Sequence, residues 1–148
     1  MSHTPKKVLL HITLPILPVD SGGKRKYLGT LRYFRERKDF FTLDAVSRND
    51  FGQILWTSDQ CEEVLKTANN FFVYPGEHNL LDFVYSRSKS FYHQKFLKQQ
   101  LPIDTDYFTP PGYVKFVRSL VSQHKHDIVW IHTPEYAHLG LIKLLVIH

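Results

Sequence analysis

The chain has 148 residues, 43% of them hydrophobic and 22% charged, with a formal net charge of +5 and a pI near 9.3. That length accommodates one domain and not comfortably two, and the composition is that of a soluble globular protein. The single cysteine, Cys61, excludes an internal disulfide, and the basic balance favours anionic partners: phosphates, acidic lipid or nucleic acid.

The N-terminal MSHTPKK lacks the apolar centre of a signal peptide, and no run reaches transmembrane length. A cytoplasmic chain is expected, with any membrane contact peripheral and at the inner face. Val8, Leu9, Leu10 and Ile12 form a short apolar run suited to a strand covered on both faces. Pro15 and Pro18 end it, since each lacks a backbone donor and constrains its predecessor. Asp20 or Ser21 then caps a helix from about Gly22 to Lys38, whose first turn holds Gly22, Gly23, Lys24 and Arg25. Tyr27, Leu28, Leu31 and Phe34 supply its apolar face, opposite Lys26, Arg32, Arg35 and Arg37.

Asp39 to Val46 reads as a second strand, and 48–52 as a turn. Thr57 or Ser58 caps a short helix through Glu62, Val64 and Leu65, stopped by Asn69 and Asn70. Phe71 to Tyr74 is a third strand, closed by Pro75 and Gly76. Asn79 to Gln100 is helical in pattern, with Arg87, Lys89, Lys95 and Lys98 interleaved with Tyr85 and Tyr92. Such a stretch suits a solvated face, a nucleic-acid surface or an interfacial helix on anionic lipid. Leu101 to Pro111 reads as a linker. Val114, Val117, Leu120 and Val121 mark a helix running toward His124. Asp127 to Ile131 is a second buried strand, ending in His132, and Leu139 to Ile147 is helical by length and spacing.

Strands alternating with helices argue an α/β fold: a three-layer Rossmann-like sandwich with a mainly parallel sheet, in a single domain whose last strands are in question. Ligands collect beyond the carboxyl ends of such strands. Two loops stand there, the Gly22-Gly23 loop and the one at His132. The first offers unpaired helix-start N–H groups with no Cβ in front of them, which suits an anion. Spacing excludes a P-loop, because Pro18 and Arg25 stand where glycine and Ser/Thr are required. It also excludes the G-x-G-x-x-G dinucleotide fingerprint.

The opening KKVLLHITLPILPVDSGGKRKYLGTLRYF, followed much later by DIVWIHTPEYAHLG, resembles the N-terminal half of family 4 retaining glycosyltransferases of GT-B fold. The resemblance implies an acceptor-side domain over 1–148, with the C-terminal nucleotide-sugar-binding domain absent and no turnover by this chain alone. It implies sugar transfer from a nucleotide-sugar donor to a glycan or lipid-linked acceptor, as in cell-envelope polysaccharide biosynthesis. By that likeness Gly22 and Gly23 approach the donor diphosphate, Lys24 and Arg25 support the anion, and His132 is the catalytic-site histidine. A dependence on a bound metal or other cofactor is not expected, and His124-x-His126 lacks companions at ligand spacing. The alternative is a non-catalytic α/β module that binds a phosphorylated ligand or a protein partner. A nucleic-acid partner is not expected, because no recognised motif accompanies the charge.

Overall fold

The computed structural model describes residues 4–49, 54–75, 80–96 and 111–131. Within them lie strands β1 (Lys6–His11), β2 (Phe41–Arg48), β3 (Asn70–Tyr74) and β4 (Ile128–Ile131). The helices are α1 (Gly22–Glu36), α2 (Ser58–Leu65), α3 (Leu80–Phe96) and α4 (Pro111–His124). All four strands pair in parallel in the order β3-β2-β1-β4, so β1 is central. The α/β, mainly parallel expectation is therefore met.

Parallel strands need crossovers, and right-handed crossovers in this order send helices to opposite faces. Alternation along the strands makes the two faces visible. Val8, Leu10, Leu43 and Ala45 bury against Tyr27, Leu31 and Phe34 of α1 and against Val64 of α2. Leu9 and Val46 point the other way and bury against Tyr113, Val114, Val117 and Leu120 of α4. Helix, sheet and helix thus form three layers.

Ser21 rather than Asp20 caps α1, its hydroxyl accepting from the Lys24 N–H at 3.4 Å. Thr57 holds the N-cap position of α2 without a side-chain hydrogen bond. β2 runs two residues further than its apolar pattern suggests, because Ser47 and Arg48 pair with Val73 and Tyr74. Pro111, read above as linker, begins α4, where its missing N–H is no loss.

One expectation is corrected: β4 is not buried on both faces. Ile128 and Trp130 are 38% and 42% exposed, while Val129 and Ile131 are half-buried on the α4 side. The reason is position, since β4 is the outer strand among the described residues, and α1 reaches its other face through one aromatic contact. That reach is an edge-on contact of Phe34 with the Trp130 ring, centroids 5.7 Å apart. The expected helix over Leu139 to Ile147 lies outside the described residues, as does His132.

At the amino edge of the sheet several polar groups find partners. Lys7 donates its N–H to the Asp127 carboxylate at 2.8 Å, and this bond, first among several causes, holds that carboxyl below its ordinary range. Asp44, buried in β2, accepts from the Asn70 amide at 2.9 Å and lies 3.0 Å from the His126 ring nitrogen Nε2. The His126 side chain is fully buried, so this pair ties the α4–β4 turn to the middle of the sheet.

Candidate functional site

Helices antiparallel to the strands start where the strands end. The chain leaves β1 at His11 and returns as α1, whose Tyr27 hydroxyl reaches back to Thr13. The Thr13 N–H donates to it at 3.3 Å, and the two hydroxyl oxygens are 2.8 Å apart. The intervening loop is fastened to α2, since the Gln60 side chain bonds both the Leu17 N–H (3.2 Å) and its carbonyl (2.7 Å). Asn49, just beyond β2, accepts from the Leu55 and Trp56 N–H groups and sets the approach to α2. Tyr113 in the first turn of α4 lies beside His11 and Tyr74, its ring centroid 5.8 and 5.6 Å from theirs. Three helix N-termini therefore face the carboxyl edge, each adding partial positive charge there.

The glycines of α1 are not demanded by the fold. A Cβ built at Gly22 or Gly23 meets nothing within 4 Å, so side chains would fit at both positions. Alanine would favour the helix at both positions, so close packing does not account for the two glycines. Lys24 is otherwise occupied than expected. Its ammonium pairs with Asp20 at 2.9 Å, and this contact, chiefly by hydrogen bonding, lowers the Asp20 carboxyl below its ordinary range. Arg25 is exposed at the same end. Four of the five residues singled out from sequence are thus the consecutive first turn of α1. The fifth, His132, lies outside the described residues, but its predecessor Ile131 pairs in register with His11.

Sequence reasoning missed the groups buried at this edge. Ser47 Oγ, Trp56 Nε1 and the Tyr113 hydroxyl are enclosed and have no hydrogen-bond partner among the described residues. Burial pushes the Tyr113 hydroxyl far above the usual phenol range, while the nearby Arg48 charge pulls the other way. The Tyr113 signal was present in the spacing. Tyr113, Val117 and Leu120 share one helix face, which places a phenol at the start of α4.

Other chemistries find less support. His126 of the His124-x-His126 pair is engaged by Asp44 at the opposite edge. No three His, Cys, Asp or Glu side chains among the described residues are placed to hold a metal ion. Burial raises the Cys61 thiol, the opposite of an activated nucleophile. No described helix is long and apolar enough to cross a membrane.

The fold is that of a Rossmann-like α/β domain, with the start of α1 following the carboxyl end of β1. No protein-family model matches the chain, and no curated protein sequence matches it.

Proposed function

We propose that this chain is the acceptor-side domain of a glycosyltransferase that moves a sugar from a nucleotide-sugar donor to a glycan or lipid-linked acceptor. The observation that carries the reading is the pairing of His11 with Ile131. It sets the strand that leads to the glycine loop beside the strand that leads to His132, which supports the reading. Glycosyl transfer needs negative charge stabilised on a departing diphosphate while an acceptor hydroxyl attacks. The N–H groups at Gly22 and Gly23, with Arg25 beside them, suit that electrostatic task. His132 would contact the sugar or the acceptor.

The test is amide-resolved NMR of the labelled chain titrated with nucleotide sugars, sugar phosphates and neutral oligosaccharides. Sugar-dependent shifts are expected at Gly22, Gly23 and His132, and Gly23→Ala should weaken them without unfolding the chain. Shifts with phosphates alone, indifferent to the sugar, would replace this reading with the non-catalytic module that binds a phosphorylated ligand. The concentration of helix N-termini and cations at one edge is what favours that alternative.

A lipid-linked acceptor brings the domain to a membrane surface, and α3 supports such a contact. Leu80, Leu81, Val84, Phe91, Tyr92 and Phe96 are all exposed along it, with Arg87 and Lys95 among them. Apolar side chains with adjacent cations suit anionic lipid at the inner face. Vesicle sedimentation should show preference for anionic over neutral lipid, lost in Leu81→Glu. Equal binding to both vesicle types would remove the electrostatic argument.

A further inference from the structure

Residues 12–21 carry the chain from the central strand to the glycines of α1, and the two halves of this stretch are held differently. Ile12 and Ile16 are completely buried and Leu14 packs on the same core, so apolar contact anchors the first half. From Leu17 to Ser21 Val19 is half-buried and the other four residues are exposed. Most hydrogen bonds of this second half are local. The Asp20 N–H donates to the Pro18 carbonyl, the Ser21 hydroxyl and carbonyl accept from the Lys24 and Arg25 N–H groups, and Asp20 pairs with Lys24. Such bonds give the segment a shape without fixing it to the rest of the molecule.

Among the described residues, the hydrogen bonds that tie Leu17–Ser21 to another element come from Gln60, in the first turn of α2. Its amide nitrogen donates to the Leu17 carbonyl at 2.7 Å, and its amide oxygen accepts from the Leu17 N–H at 3.2 Å. One side chain thus satisfies both main-chain groups of one residue, as a neighbouring strand would. α2 is itself seated in the core through Val64, which is completely buried. Gln60 therefore joins an exposed segment to a fixed body. The residue type matters: an ionised glutamate of the same size accepts but cannot donate, and alanine does neither.

We propose that Gln60 is a positioning residue: by holding Leu17 it fixes the segment behind the first turn of α1, and with it the direction in which the Gly22 and Gly23 N–H groups are presented. The inference rests on the reading of that turn as the diphosphate end of the site, and it adds to the site a residue from a different helix. The contribution is one of order. A segment already held at Leu17 has fewer conformations to lose when an anion settles on the amides that follow it.

The test compares the full chain with its Gln60→Ala and Gln60→Glu variants by NMR. Amide hydrogen exchange reads the loop without any ligand. Exchange at the Leu17 N–H should rise roughly tenfold in both variants, about the worth of the two bonds together. Exchange at Val64 should stay as it is, because alanine favours a helix and α2 keeps its core contact. Titration with sodium pyrophosphate, at ionic strength matched with sodium chloride, then reads the site through the Gly22 and Gly23 amides. Saturable shifts are expected in the parent, with affinity roughly three- to tenfold weaker in both variants. The alanine variant adds no charge, so its loss is not repulsion; the glutamate variant keeps the bulk, so its loss is not packing. Unchanged exchange at Leu17 in Gln60→Ala overturns the inference, as does a pyrophosphate affinity that survives both substitutions. If Gln60→Ala alone weakens binding, bulk rather than the two-way bond holds the loop, and the inference is again overturned. If the parent itself gives no saturable shift at Gly22 and Gly23, the diphosphate reading fails and the positioning role falls with it, whereas a failure confined to the variants leaves that reading standing.

Discussion

Asp44→Ala is expected to destabilise the domain by about 3 kcal/mol, lowering the midpoint of thermal unfolding by roughly 6–12 °C. Asp44 is 6% exposed and receives Asn70 on one carboxylate oxygen and His126 on the other. Removing it leaves a fully buried imidazole with no acceptor or counter-charge, the costly way to break such a pair. Asn70 is exposed and regains water, so its share of the loss is small. Asp44→Asn should cost less, because one amide oxygen still accepts and the imidazole can change tautomer. A double-mutant cycle with His126→Ala, read by denaturant unfolding, checks the assignment. Additive losses would show that the two side chains act separately.

Leu10→Ala should be similarly damaging, by about 3 kcal/mol, for a different reason. Leu10 is completely buried in the central strand, with Ala45 and Trp130 opposite it in register on either side. Its side chain belongs to the core shared with α1 and α2. Truncation leaves a cavity that two hydrogen-bonded neighbouring strands cannot collapse to fill. Trp130→Ala makes the comparison, since its half-exposed ring already contacts water. If the two variants unfold at the same denaturant concentration, the two-sided burial of β1 is not what stabilises the sheet.

The fold was legible wherever local pattern decided it. The apolar run from Val8 to Leu10 carried the central strand, and the spacing of Tyr27, Leu31 and Phe34 carried the face of α1. β4 misled because Ile-Val-Trp-Ile is apolar throughout. Such a run reads as doubly covered, whereas coverage depends on what else reaches the strand. Of the candidate site, the backbone half was legible as a helix start, because Ser21 and the glycines follow a strand and two prolines. Its side-chain half was not. Tyr113 meets His11 and Tyr74 through the order of strands, and nothing in the sequence near Tyr113 announces either. The same holds for Asp44 and His126, which lie 82 positions apart. The His124-x-His126 spacing drew attention to His126, yet its partner is a carboxylate in β2.

The contrast between the two tryptophans has a practical consequence. Trp56 is 5% exposed beside Phe71, whereas Trp130 is 42% exposed against Phe34. Their indoles occupy a dry and a wet setting, so the protein carries two intrinsic fluorophores that differ in colour and in access to a soluble quencher. The bluer signal follows the interior under α2, and the redder one follows the seam between α1 and the outermost strand. Loosening of that seam is thereby optically separable from melting of the interior, with no label attached.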